Sequence, residues 1–259
     1  MALPPLTPLD PNAHATFGFP LNWGIQDPEK FYKLIQEMLP LLAPGYYLGD
    51  NLLTWQRNLS LFHDKPFVQA WETNIQNNAD RVIAWRRFVL ACAGYHCVQL
   101  DGDFVECGAF AGSGMKTVMD YLGGKAFPKR FYGYDTFDYH PVAEHAQAGQ
   151  DETLYPRVVK RFEGYDQVTL VKGLIPESFK TACPDKIAYL HIDLNSATYE
   201  VACLEHLFDK VVPSGLIVLD DYEWSYPYQD QKIAEDKWFE ARKYRVMPLP
   251  TGQGLVIKR

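Results

Sequence analysis

The chain has 259 residues, 47% hydrophobic and 22% charged, which suits one large α/β domain, or one domain with an elaborated end, in a soluble globular protein. A formal charge of -7, with no run of Lys or Arg, excludes broad contact with a phosphate backbone, so no nucleic-acid partner is expected. Five cysteines without a CxxC pair exclude a zinc knuckle and a disulfide framework. No apolar stretch is long enough to cross a bilayer, and the opening residues carry no basic region ahead of an apolar run, so a cytoplasmic protein without a membrane partner is expected. Pro4, Pro5, Pro8, Pro11 and Pro20 make residues 1–27 an extended or wrapping arm rather than a helix. Phe31, Leu34, Ile35, Met38 and Leu42 recur at helical spacing over 28–42. Two more helices are predicted over 66–77, after Asp64 and with an early Pro, and over 79–94, with Asn78 as its cap. Residues 1–100 thus form a mainly helical N-terminal extension.

The pattern changes after residue 100. DFVECG (103–108), RFYGYD (130–135), QVTLVKG (167–173), IAYLHID (187–193) and GLIVLDD (215–221) are short runs rich in β-branched and aromatic residues. Each ends in Gly or Asp, and helix-like segments separate them. Near-continuous apolar strands alternating with helices indicate a parallel sheet covered on both faces, wound right-handed. YRVMPLP (244–250) and GLVIKR (254–259), joined through TGQG, read as an antiparallel C-terminal hairpin. The expected fold class is therefore α/β, a Rossmann-like sheet of parallel strands with an antiparallel C-terminal hairpin over 101–259 and a helical N-terminal extension.

Glu106-Cys107-Gly108-Ala109-Phe110-Ala111-Gly112-Ser113-Gly114 follows the first core strand. Glycines between a strand and a helix let the backbone turn sharply and approach a ligand, with the free N–H groups of the helix aimed at it. A P-loop would need Lys directly after the last Gly, and Met115 separates Gly114 from Lys116. A dinucleotide fingerprint would need GxGxxG, which Gly108-Ala109-Phe110 does not supply. An acid two residues before the first Gly suits a ligand with an ammonium group, such as the methionine end of S-adenosylmethionine (SAM), better than a pyrophosphate. Asp135, with Thr136 after it, stands where an acid grips ribose hydroxyls, or else caps the next helix. Lys172-Gly173 would border the adenine at the third strand tip. The cofactor set read here is Glu106, Gly108, Ala109, Phe110, Gly112, Ser113, Asp135, Thr136, Lys172 and Gly173.

The fourth and fifth strands end His191-Ile192-Asp193 and Leu219-Asp220-Asp221, and in a parallel sheet both tips open on one crevice. At roughly 4 Å and an effective dielectric near 20, each pair of like charges costs about 4 kcal/mol. Either some of these acids hold protons or a cation sits among Asp193, Asp220 and Asp221, with Mg²⁺ the leading candidate for such hard oxygen donors. A metal there would acidify and orient an acceptor hydroxyl in line with the sulfonium methyl. Asp193 is favoured as the base and His191 is the alternative, although His191 also reads as a structural histidine. Asp220-Asp221 also reads as a strand-to-loop turn. Residues 137–155, with His140, His145 and Gly149, read as a lid or a long loop. Tyr222, Trp224, Tyr226 and Tyr228 either wall an acceptor pocket or pack on the N-terminal helices.

The segments FVECGAFAGSG (104–114), YGYDTF (132–137), VTLVKGLIPESF (168–179), HIDLNSATYE (191–200) and VVPSGLIVLDDY (211–222), with NLLTWQRNLSLF (51–62) upstream, resemble the macrocin O-methyltransferase (TylF-like) family over residues 45–259. The resemblance implies a class I methyltransferase fold, SAM, Mg²⁺ and a hydroxyl acceptor on a sugar or related natural product. It matches Asp193, Asp220 and Asp221 to metal-binding acids, and Glu106, Gly108 and Asp135 to cofactor positions. Asn195 departs from it, since members commonly carry a second acid there. Other readings are a metal-independent methyltransferase acting on a phenol or amine, and a catalytically silent SAM-binding scaffold. A homodimer joined through the N-terminal region is also expected.

Overall fold

The computed structural model describes residues 3–4, 15–138, 150–226 and 228–259. His140, His145 and Gly149 of the expected lid or loop lie outside the described residues. Among those described, the N-terminal part carries β1 (Phe17–Gly18), α1 (Pro28–Met38), β2 (Tyr47–Gly49), β3 (Leu52–Thr54), α2 (Ser60–His63), α3 (Lys65–Asn74), α4 (Asn78–Val82) and α5 (Ala84–Cys97). The rest carries β4 (Asp103–Cys107), α6 (Ser113–Tyr121), β5 (Phe131–Asp135), α7 (Leu154–Arg161), β6 (Val168–Lys172), β7 (Ile187–Ile192), α8 (Ala197–Leu207), β8 (Val211–Leu219), α9 (Gln229–Ala241), β9 (Met247–Pro248) and β10 (Gly254–Ile257).

The large sheet has the order β6-β5-β4-β7-β8-β10-β9, parallel from β6 to β8 and antiparallel through β10 and β9. This is the expected α/β sheet with its C-terminal hairpin. The strand order reverses direction at β4, between β5 and β7, and a crevice opens beyond the carboxyl ends at such a point. Alternate residues face opposite layers. Phe104, Tyr189 and Val218 join one buried apolar cluster with Leu90 of α5 and Met115 of α6. Val105, Leu190 and Ile217 join another with Leu204 of α8 and Phe239 of α9. The first cluster also takes in Tyr47, Phe67 and Trp71, so the N-terminal helices cover one face of the sheet.

Three differences from the sequence reading have physical causes. The N-terminal extension is not only helical: β1, β2 and β3 form a small sheet, parallel between β1 and β2 and antiparallel between β2 and β3. The helix expected over 79–94 is two helices meeting at Ile83, and Asn77 rather than Asn78 caps the first, accepting from the Asp80 amide. The Val82 carbonyl is taken by the Tyr47 hydroxyl at 2.7 Å, so a tertiary bond stands where a continuous helix would place its own amide. Finally, β8 begins at Val211. Its register against β7 shifts so that Val211 faces Ile187 and Leu216 faces Tyr189, leaving Asp220 and Asp221 just past the strand.

Candidate active site

A cleft of about 490 Å³ opens at the carboxyl ends of β4, β5, β6 and β7, a size suited to a cofactor and part of a second ligand. Its floor is the loop from Gly108 to Ser113. Gly108 has φ +95°, and a β-carbon there would collide with the carbonyl of Asp193, so the loop lies flat on the tip of β7. Around the rim, Phe110, Phe137, Asn195 and Asp221 all have left-handed backbones, one just after each of β4, β5, β7 and β8. Each such non-glycine residue costs about 1–3 kcal/mol, and this kind of strain gathers at functional sites.

Among the residues read as cofactor-binding, Glu106, Gly108, Ala109, Phe110, Ser113, Asp135, Thr136 and Gly173 line the cleft. Gly112 does not; it packs beneath the Phe162 ring at the start of α6. The Lys172 side chain is also turned away, pairing with Asp138 at 2.6 Å on the surface. Asp135 accepts from the Phe110 amide at 2.8 Å and from the Phe137 amide at 2.6 Å, so it stitches two strand tips together. Burial pushes its carboxyl above the usual range against those two bonds. Each carboxylate oxygen has a second lone pair, which leaves Asp135 able to accept from ligand hydroxyls.

Across the face turned to α5, Glu106 of β4, His191 of β7 and Asp220 beyond β8 form a buried row of ionisable groups. His191 Nδ1 lies 3.6 Å from Glu106 Oε2, and its Nε2 lies 3.7 Å from Asp220 Oδ1. Burial disfavours its cation, but the two carboxylates prevail and raise its pKa to about 10. His191 does not line the cleft and sits beneath it.

Arg86 of α5 is the residue that sequence reasoning missed here. Its Nε donates to Asp50 Oδ2 at 2.7 Å, and its Nη1 donates to Asp220 Oδ2 at 2.8 Å and Asp221 Oδ1 at 2.6 Å. Gln253 donates to the other oxygen of Asp220 at 2.8 Å. Burial opposes ionisation of Asp220, yet Arg86 and His191 hold it well below the usual carboxylate range. Asp193 behaves in the opposite way. Burial, then repulsion from Asp220 and Asp221, pushes it well above that range. Burial also raises Asp221, and carries Asp50 to about 6, against the pull of Arg86. One ligand atom each of His191, Asp193 and Asp220 lie within 4.8 Å of one another, whereas Asp221 is drawn onto Arg86. Two of the three are carboxylates with hard oxygen donors, and Asp193 is held up by burial and by repulsion from Asp220 and Asp221, which fits a divalent cation beside Asp193 and Asp220.

On the outer side, Trp23, Trp224, Tyr226 and Tyr228 line the cleft, with the Trp23 and Trp224 rings edge to face at 5.7 Å. Tyr222 is buried instead, its hydroxyl bonded to Asp236 of α9. Trp23, Asp50, Asp80, Arg86 and Arg87 all come from the N-terminal part. Their one local signal was two adjacent arginines inside the apolar run Ala84–Cys97.

Residues 92–243 match the model of the macrocin-O-methyltransferase (TylF) family. The chain belongs to that family. It is a SAM-dependent methyltransferase. Among curated proteins, none matches the sequence of this TylF-family chain. Similar solved structures include the O-methyltransferase NovP, 20% identical with a TM-score of 0.54, covering 67% of this chain and 79% of that one. Calicheamicin methyltransferase CalS11 is 17% identical with a TM-score of 0.52, covering 67% and 78%. The apo structure of CalS11, a TDP-rhamnose 3'-O-methyltransferase, is 17% identical with a TM-score of 0.51 and the same coverage. At these identities the likeness shows the fold of the TylF-family chain. No helix among its described residues is long and apolar enough to cross a membrane.

Proposed function

We propose that this methyltransferase transfers the methyl group of SAM to a hydroxyl of a sugar or sugar-bearing natural product, with Asp193 as the base and Mg²⁺ beside Asp193 and Asp220. The observation that carries this reading is the contact between the Gly108 loop and the backbone of Asp193, which sets the acid beside the cofactor floor. The fold shared with CalS11, a TDP-rhamnose 3'-O-methyltransferase, and the macrocin for which the family is named support a sugar hydroxyl. The aromatic wall of Trp23, Trp224 and Tyr228 offers flat apolar faces for a ring that also bears hydroxyls.

In this reading Glu106 faces the ammonium of SAM, Asp135 accepts from its ribose, and Gly173 borders its adenine. Bound Mg²⁺ would supply charge that lowers the pKa of the acceptor hydroxyl and fixes its oxygen. Asp193 takes the hydroxyl proton, the oxygen lone pair attacks the methyl carbon, and the carbon–sulfur bond breaks to leave S-adenosylhomocysteine. The Asp193 carboxylate stands at the cofactor floor, where the Gly108 loop meets its backbone. His191 and Arg86 hold Asp220 ionised behind it.

A metal-free version has one observation in its favour, because Arg86 already brings a cation to Asp220 and Asp221. Assay of S-adenosylhomocysteine release across a panel of glycosides, with chelator and then with restored Mg²⁺, separates the two. Activity indifferent to chelation would overturn the metal assignment, and activity only on phenols or amines would overturn the acceptor. A cytoplasmic setting suits five cysteines that form no disulfide. Self-association through the N-terminal part is supported by exposed Leu34, Leu41 and Trp55. Light scattering of the full chain and of Leu34→Glu tests it.

A further inference from the structure

Arg87, the neighbour of Arg86 on α5, reaches the other end of the cleft. Its Nη2 donates to Asp80 Oδ1 at 3.2 Å and to Ser113 Oγ at 3.3 Å, and that hydroxyl donates to Asp80 Oδ1 at 2.7 Å. Both bonds leave from Nη2, so among the described residues Nη1 and Nε make none. The guanidinium is thus held by one edge only, with its remaining donors left over in a cleft that Arg87 lines.

Those donors lie at the first turn of α6. A β-carbon built on Gly114 would stand 2.7 Å from Arg87 Nη1 and 3.2 Å from Glu106 Oε1, so a guanidinium and a carboxylate flank the same glycine. Glu106 is buried, with Oε2 turned to His191 Nδ1 at 3.6 Å and Oε1 left on the side of the glycine. A fixed cation and a fixed anion side by side complement a ligand with an ammonium and a carboxylate on one carbon. The N–H groups opening α6 favour the anionic half as well.

We propose that Arg87 binds the α-carboxylate of the methionine moiety of SAM, next to the α-ammonium facing Glu106. The inference rests on the SAM reading of the Gly108 loop and extends it. It assigns the anchor of the amino-acid end to the N-terminal helices rather than to the sheet. Asp80 and Ser113 are its positioning residues, holding Arg87 ready before the ligand arrives. A strut joining α5 to α4 would need only the Asp80 bond and would be indifferent to the carboxylate of the ligand.

That difference is the test. Calorimetry compares S-adenosylhomocysteine with its decarboxylated analogue, S-adenosyl-3-thiopropylamine, on the unsubstituted chain, Arg87→Gln and Arg87→Lys. The unsubstituted chain is expected to prefer S-adenosylhomocysteine by about 10- to 100-fold, the worth of a charge-assisted contact. Arg87→Gln is expected to bind the two within about threefold, with the affinity for the analogue unchanged, and Arg87→Lys to keep part of the preference. A preference that survives Arg87→Gln, or an equal weakening of both ligands, overturns the assignment. If circular dichroism shows Arg87→Gln unfolded, Arg87→Lys decides, and a preference undiminished there overturns it. Uptake of neither ligand by the unsubstituted chain would overturn the SAM reading itself, and this assignment with it.

Discussion

Arg86 Nη1 lies 2.6 Å from Asp221 Oδ1, in a buried pair that joins α5 to the tip of β8 across 135 positions of sequence. The same guanidinium grips Asp50 and Asp220, so one cation holds the small N-terminal sheet, α5 and the large sheet together. Removing it would leave buried carboxylates facing one another, which is far more costly than removing a whole ion pair. Arg86→Gln is therefore expected to lose about 3–5 kcal/mol in urea unfolding. Added Mg²⁺ should raise its melting temperature more than that of the unsubstituted chain, since the metal can replace part of the lost charge. A stability loss under about 0.5 kcal/mol would show that the pair is incidental.

Asp193 should behave differently, because its backbone supports the Gly108 loop while its carboxylate, which accepts from Asn195 Nδ2 at 3.2 Å, acts as base. Asp193→Asn keeps the backbone contact and removes the base. Turnover is expected to fall about 10²- to 10⁴-fold, while calorimetry finds S-adenosylhomocysteine bound within a few-fold of the usual affinity. The rate should rise with pH as Asp193 ionises, and that limb should vanish in the variant; burial and its acidic neighbours raise Asp193, and bound Mg²⁺ should move the limb to lower pH. A variant with near-normal turnover removes Asp193 from the chemistry.

The large sheet was legible because each of its strands is a run of apolar residues closed by Gly or Asp, and such runs differ in period from the helices between them. The placement of Glu106, Asp193 and Asp220 at strand tips followed from that pattern together with parallel topology. The small sheet was not legible. Tyr47–Gly49 and Leu52–Thr54 have three residues each, too few for alternation to show. The break at Ile83 depends on Tyr47, 35 residues away, and the partners of Arg86 lie up to 135 away. Local pattern holds no record of such contacts, so Arg86 and Arg87 read only as charges on a helix until the chain was folded.

Gly108 carries a conformational demand and a steric one at the same position. Its φ of +95° strains any other residue, and the Asp193 carbonyl occupies the space where a β-carbon would go. Gly108→Ala is expected to cost about 1–3 kcal/mol in denaturant unfolding. Because relief can come only by lifting the loop off β7, affinity for S-adenosylhomocysteine should fall at least about tenfold, equivalent to roughly 1.4 kcal/mol. Unchanged affinity in a folded variant would show that the ligand does not use this loop.

Behind the site, Glu200 of α8 and Glu235 of α9 are both fully buried. Glu200 accepts from the Leu194 amide at 3.2 Å, next to Asp193. Burial and then repulsion from Glu235 push Glu200 well above its usual range, and burial pushes Glu235 up to about 8. Between about 4.5, the ordinary value, and about 8, the folded chain therefore keeps a proton on Glu235 that the unfolded chain has released. The unfolded state binds fewer protons in that window, so stability falls as pH rises through it. Glu235→Gln removes the titration while keeping the shape. Its melting temperature relative to the unsubstituted chain should climb from pH 5 to pH 8, reflecting on the order of a few kcal/mol. A difference that stays constant over that range would mean that Glu235 is already ionised in the fold, with a cation or water as its partner.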